Sequence, residues 1–234
     1  MNIAVFISIW TAGISSVDLN NHFMAEPLAF LKTNPDVIAV EFYTPEHSEE
    51  PVHDMDSLVP PTLMVQIDFD SVEKAEKLTS SDAFKNLFTN KQGFSAAAER
   101  IDLETLEVVH YDLPGHDSPP ARTAPMSFVV RYYGPVADGS DFIDYYINHH
   151  PQITARFPGI RNVLCYLPLG WREMDEIRDD QMIVGNEVVF DDLESFKQAL
   201  ASDVFAELRA DGQNFKEWGY SSHHSMHRKK VYSR

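Results

Sequence analysis

Residues 190–208, FDDLESFKQALASDVFAEL, align without gaps to residues 69–87, FDSVEKAEKLTSSDAFKNL, with seven of nineteen positions identical. The shared pairs are Phe69/Phe190, Asp70/Asp191, Glu73/Glu194, Ser81/Ser202, Asp82/Asp203, Phe84/Phe205 and Leu87/Leu208. Each stretch opens with Asp and has Glu three residues later, ahead of apolar residues at helical spacing. An Asp in that place accepts from the free amides of a first helical turn, and the Glu complements the positive helix end. Strand end, capping pattern and spacing all recur, so the chain reads as two copies of one βα unit.

The flanking sequence extends the repeat. Ile3 to Ile9, rich in β-branched residues, reads as a buried strand. Asp18 to Leu31 reads as one helix ending before Asn34-Pro35, and Val37 to Tyr43 and Leu63 to Phe69 as strands. Pro45 to Pro61, acidic and proline-containing, reads as an exposed loop. After the helix at Asp70 comes a shorter helical piece near Ser81, then a strand over Ile101 to Tyr111. Leu113-Pro114-Gly115-His116-Asp117-Ser118-Pro119-Pro120 reads as a linker, and the order then begins again. Met126 to Tyr133 is a strand, Ser140 to Phe157 a helix and its exit, Asn162 to Leu167 and Ile183 to Phe190 strands, and a helix opens at Asp191. The fold class expected is α+β: two βαββαβ halves, 1–112 and 126–234, joined by a linker over 113–125. Each half places its helices on one face of an antiparallel sheet.

Charge narrows the function. With 19 Lys and Arg against 36 Asp and Glu, the net charge is −17. Phosphate-rich partners need a concentrated positive surface, so neither nucleic acid nor an anionic membrane is expected as the main partner. Arg228-Lys229-Lys230 is too short a run to change that. The lone Cys165 lies in an apolar run and reads as a buried, inert thiol. Ile3 to Trp10 lacks the basic flank and cleavage site of a signal peptide. No stretch approaches a membrane span, and a cytoplasmic setting is expected.

Strand alternation assigns side chains to faces. Val65, Ile67 and Phe69 are apolar, as are Val188 and Phe190; these belong under the helices. Gln66, Asp68 and Glu187 then point to the opposite face. Setting Ile7 and Ile9 against Phe128 and Val130 sends Trp10, Arg131 and Tyr133 there too. Arg131 with Glu187 reads either as an ion pair between strands or as a grip on a substrate carboxylate or enolate.

The run DFIDYYINHHPQITARFPGIR, residues 141–161, carries the candidate chemistry. His149 and His150 are expected at a helix end just before Pro151. Histidine titrates near neutral pH, so either can move a proton in a pocket. Each can equally bond the terminal carbonyls as a structural cap. Adjacent helical residues point about 100° apart, so one of the two is expected to face a pocket. Tyr145 and Tyr146 read as an aromatic wall or hydroxyl donor, or as core. His223, His224 and His227 read as part of a solvated C-terminal segment and not as a metal site, since no carboxylate or cysteine beside them completes one.

Tyr145-Tyr146-Ile147-Asn148-His149-His150-Pro151, Phe157-Pro158-Gly159-Ile160-Arg161 and Glu187-Val188-Val189-Phe190-Asp191 together resemble the EthD family of the dimeric α/β-barrel superfamily. The resemblance covers roughly Met126 to Phe215. The first half resembles a degenerate copy, with Ala25-Glu26-Pro27 near the place of His-His-Pro. The resemblance implies ferredoxin-like repeats whose sheets face each other as an intrachain α/β barrel. Superfamily relatives include cofactor-free monooxygenases, isomerases, cyclases and haem proteins, so the fold does not choose a reaction. No cofactor is expected, with haem left open.

The function expected is a small-molecule enzyme acting on an apolar, aromatic or polycyclic metabolite. His149 or His150 supplies acid/base chemistry; Arg131, Tyr133, Tyr146, Glu187, Gln66 and Trp10 line the substrate site. The rivals are a non-catalytic protein that binds a hydrophobic ligand and a haem-binding protein. The expected assembly is a monomeric pseudo-dimer, or a homodimer formed through a sheet edge or helix face.

Overall fold

The computed structural model describes residues 2–46, 58–89, 97–114, 124–174 and 181–234. Its elements run β1 (Asn2–Thr11), α1 (Ser16–Met24), α2 (Glu26–Thr33), β2 (Ala39–Pro45), β3 (Leu63–Phe69), α3 (Val72–Thr79), α4 (Asp82–Thr89) and β4 (Ala98–His110). They continue with β5 (Met126–Tyr133), α5 (Gly139–Thr154), β6 (Asn162–Pro168), β7 (Met182–Phe190), α6 (Leu193–Leu200), α7 (Asp203–Gly212) and β8 (Tyr220–Ser233). The fold class is α+β.

The chain divides into two compact units. Unit 1 comprises Met1–Pro45, Val59–Glu107 and His227–Arg234; unit 2 comprises Glu46–Leu58 and Val108–Met226. The division falls inside β4 and inside β8, and the proline-rich stretch 115–123 lies outside the described residues. Strands in unit 1 hydrogen-bond in the order β4-β1-β3-β2-β8, and those in unit 2 in the order β8-β5-β7-β6-β4. Each described strand therefore has a neighbour on both sides, which leaves no row of bare amides and carbonyls to pair with another chain.

Pairing in unit 1 is antiparallel, with Ile3 opposite Phe69 and Glu41 opposite Gln66. Gln66 bonds Tyr43 and Asp68 on one face, so Val65, Ile67 and Phe69 turn to the other. Phe23 of α1 meets Phe42 of β2 edge-on at 6.1 Å. In unit 2, Phe128 lies opposite Val188 and Leu164 opposite Glu187. Phe128, Val130, Val188 and Phe190 enter one buried cluster with Phe142 and Tyr146 of α5 and Phe196 of α6. The expected alternation of both sheets is the one observed.

Four local expectations need correction. The stretch Asp18 to Leu31 is two helices, broken at Ala25, whose ψ is −111°. Pro27 explains the break: it has no N–H to continue α1 but suits the first turn of a new helix. The N-caps of α3 and α6 are Ser71 and Asp192, one residue beyond the expected Asp70 and Asp191. Asp70 pairs with Lys74 and Asp191 with Arg161. Third, α5 continues past Pro151 to Thr154. The donor that proline removes from Ile147 O is replaced by the Tyr111 hydroxyl at 3.0 Å, so the helix continues without an unsatisfied carbonyl. Fourth, the C-terminal segment is strand β8, with His223 and His224 buried.

Candidate functional site

In unit 2, helices α5, α6 and α7 cover the face of the sheet that carries Phe128, Val130, Asn186 and Val188. Between them lies a partly open cavity of about 60 Å³. Tyr146, His150 and Thr154 reach it from α5, Phe205 and Leu208 from α7, and His223 from β8. By the usual measure this is room for roughly four to six waters. Most of the lining is aromatic or aliphatic, so a polar group inside it is conspicuous.

His150 is such a group. It is 8% exposed, and its Nδ1 lies 2.8 Å from Asp211 Oδ2. The other carboxylate oxygen of Asp211 accepts from the Tyr145 hydroxyl at 3.1 Å. The imidazole packs against Tyr146 and Phe215, at ring distances of 4.9 and 5.0 Å. An ionised carboxylate only accepts, so Nδ1 carries the proton and Nε2 keeps its lone pair. Burial holds the His150 pKa below the ordinary histidine value, and Asp211 partly opposes that. The ring is thus a neutral base with a fixed tautomer. Burial pushes the Tyr146 phenol well above its ordinary pKa, with Tyr132 beside it adding to the effect; it is a donor, not a phenolate. Burial likewise pushes the Cys165 thiol up to about 12, in keeping with an inert core thiol.

The remaining candidates from the sequence lie elsewhere. His149 is exposed; its Nδ1 is 2.8 Å from Tyr145 O and its ring stacks on that of Tyr145 at 4.3 Å. Glu187 is fully buried on the face of the sheet away from the helices, and accepts from Ser127 Oγ at 2.5 Å and from the Tyr166 hydroxyl. Arg131 alternates onto that same face, where its charge adds to burial in lowering the His224 pKa to about 4. Tyr133 stacks on Tyr220 at 4.8 Å. Gln66 and Trp10 belong to unit 1. Gln66 accepts from Tyr43 at 2.6 Å and donates to Asp68 at 2.7 Å. The Trp10 indole donates to Val59 O at 3.1 Å, under the Arg100 guanidinium.

His150 and Tyr146 therefore share a cavity, whereas Arg131, Tyr133 and Glu187 do not join them. The reason is simple geometry. A histidine on a helix meets the face of the sheet that the helix covers, and alternation had already assigned Arg131 and Glu187 to the other face. The sequence reading also passed over Asp211, Asn186 and His223. Asn186 left a signal: it is a polar residue on the apolar side of the Val188 and Phe190 alternation. Asp211 left none. Among the described residues, no group of three His, Cys, Asp or Glu could hold a metal ion. No described helix is long and apolar enough to cross a membrane.

No family model and no curated protein sequence matches the chain. Solved structures do. An anthrone oxidase-like protein is similar with a TM-score of 0.61 at 14% identity, over 98% of this chain and 93% of that one. A monooxygenase-like protein from Fusobacterium nucleatum is similar with a TM-score of 0.58 at 10% identity, over 100% of this chain and 96% of that one. A mutant chlorite dismutase from Candidatus Nitrospira defluvii is similar with a TM-score of 0.52 at 9% identity, over 96% and 91%. At such identities the likeness establishes the fold alone: α+β, of the ferredoxin-like kind these proteins share.

Proposed function

We propose that the chain is an EthD-like enzyme that uses His150 as a general base on an apolar, aromatic metabolite. The carrying observation is the His150–Asp211 pair: a buried imidazole, held at Nδ1 by a carboxylate, lining an apolar cavity. Nε2 takes a proton from the substrate, and Asp211 stabilises the imidazolium that forms. A base so positioned contributes roughly 10² to 10⁴ in rate. Isomerisation, cyclisation, elimination and cofactor-free oxidation can all begin with this step. The names of the solved relatives, among them an anthrone oxidase-like protein and a monooxygenase-like protein, are compatible with it. The cavity is small, so a ligand presents one ring edge to His150, and Phe205 and Leu208 on α7 move aside for anything larger.

The reading also takes the two units as tandem repeats of one ferredoxin-like domain. Its support is a repeated side-chain bond. Tyr43, two residues beyond the partner of Gln66, donates to Gln66. Tyr166, two residues beyond the partner of Glu187, donates to Glu187.

The test is a thermal-shift panel of phenols, quinones, lactones and aromatic ketones on wild type and His150→Ala, with each ligand recovered afterwards. A class that stabilises wild type and is chemically altered only when His150 is present supports the enzyme. Equal stabilisation of both proteins, with the ligand recovered unchanged, rejects it. That outcome favours the second reading, a carrier of hydrophobic ligands, for which the largely apolar lining of the cavity speaks.

A further inference from the structure

The sheet side of the cavity bears two polar side chains where a core would take apolar ones. Asn186 of β7 pairs in register with Val130 of β5 and is 4% exposed. His223 of β8 is 6% exposed, with its ring 5.9 Å from that of Phe128. The repeat alignment sets Val65 of unit 1 at the position of Asn186, and Val65 is fully buried. An apolar side chain therefore satisfies this sheet position, and the amide in unit 2 carries a desolvation cost that packing does not require.

Both groups can donate. The Asn186 amide nitrogen makes a long contact of 4.0 Å to Cys165 Sγ, and an amide has a second N–H. His223 Nε2 lies 2.9 Å from Ser221 Oγ. With that hydroxyl donating to Nε2, the ring proton is on Nδ1. His150, on the helix side, is the group that accepts.

We infer that His223 and Asn186 form an anion-stabilising wall across the cavity from His150. The substrate class is then an aromatic ketone with an acidic C–H beside its carbonyl. This rests on His150 being the base. In the step, His150 Nε2 takes the proton from carbon. The C–H electron pair becomes the C=C bond, and the carbonyl π pair moves onto oxygen. The enolate oxygen accepts hydrogen bonds from His223 and Asn186, as developing charge does from preorganised donors. Nothing is oxidised or reduced, and reprotonation at carbon reverses the step.

The experiment follows exchange of the acidic C–H of 2-tetralone and of the smaller 2-indanone in D2O by proton NMR. Wild type is expected to exchange above the buffer rate and His150→Ala to fall to it. His223→Leu and Asn186→Leu each are expected to slow exchange by roughly 10- to 10³-fold, the range seen when single oxyanion donors are lost. His223→Gln, which keeps a donor, is expected to recover part of the rate. A second readout is the absorbance titration of bound 2-naphthol. The wall lowers its apparent pKa relative to the free phenol, and His223→Leu raises it again, a change that mere packing would not produce. Exchange that needs His150 but is indifferent to His223 and Asn186 overturns the wall and leaves the base standing. Exchange indifferent to His150 overturns the base. No binding or exchange with any of the three probes overturns the substrate class.

Discussion

Units 1 and 2 run through a similar order of strands and helices, with α1 and α2 in unit 1 where unit 2 has the single helix α5, and their sheets agree on one face and diverge on the other. On the faces away from the helices they agree: Tyr43 donates to Gln66, and Tyr166 donates to Glu187 at the matching position. On the helix-covered faces they diverge. Unit 1 presents Val65, Ile67 and Phe69 there, while unit 2 presents Asn186 and His223 to a cavity that His150 also lines. Burial of a polar group is thus a poor sign of function by itself. Glu187 is a fully buried carboxylate of unit 2, but Gln66 in unit 1 likewise accepts from a tyrosine two residues beyond its strand partner. The informative polar groups are those without a counterpart.

If the polar bonding on the faces away from the helices is structural, disturbing it should cost stability. Glu41→Ala should have the largest effect, destabilising by about 3–5 kcal/mol in urea denaturation, because it removes a buried partner of the Arg228 guanidinium. A loss below 1 kcal/mol would remove the structural reading.

The two units should also answer pH from opposite sides. Burial raises the Asp68 carboxyl of unit 1 from 3.8 to about 6, with the nearby Glu41 charge adding to it. The native state then holds this proton more tightly than the unfolded chain, so stability declines as pH rises from about 4 through 6. Asp68→Asn should stabilise the protein by up to about 3 kcal/mol above pH 6 and have little effect near pH 4. Burial and then Arg131 lower His224 of unit 2 from 6.5 to about 4. The native state resists that proton, so stability falls as pH drops from 6.5 through 4. His224→Gln should flatten the acid limb by up to about 3 kcal/mol and leave pH 8 unchanged. Melting curves across pH 3.5 to 8.5, of the order relevant to both groups, would separate the two; identical profiles for the variants and wild type would discount both shifts.

Asp211→Asn probes the site itself. An amide can donate to Nδ1 and hold the wrong tautomer, so turnover of any identified substrate should fall about 10- to 10²-fold with modest loss of stability. Unchanged turnover would mean that the carboxylate serves packing. The smallest effect is expected at His149→Ala, about 0.5 kcal/mol or less in stability and none in activity, since the ring is exposed and bonded to its own helix. A large loss of turnover there would exchange the roles of the two adjacent histidines.

What the sequence made legible was whatever repeats with a short period. The odd-even pattern of Val65 to Phe69 and of Val188 to Phe190 fixed the faces of both sheets, and the match of residues 69–87 with 190–208 fixed the order of elements. Contacts across long stretches of chain were not legible. Asp211 reaches His150 from 61 positions away, and Tyr111 repairs the helix at Pro151 from 36 positions away. β8 escaped because its buried positions hold His223, His224 and Arg228, residue types that composition assigns to solvent.

The membership of β8 bears on how the protein is made. His227–Arg234 belongs to the same compact unit as Met1–Pro45, and Arg228 meets Glu41 there. Domains made on the ribosome ordinarily fold in the order in which they emerge. Here unit 1, whose first strand precedes unit 2 in the chain, needs residues that follow unit 2, so its final strand and its buried charge pair form after residues 108–226 have been translated. During that interval Glu41 lacks this cation, and nascent unit 1 is the species a chaperone or protease would meet.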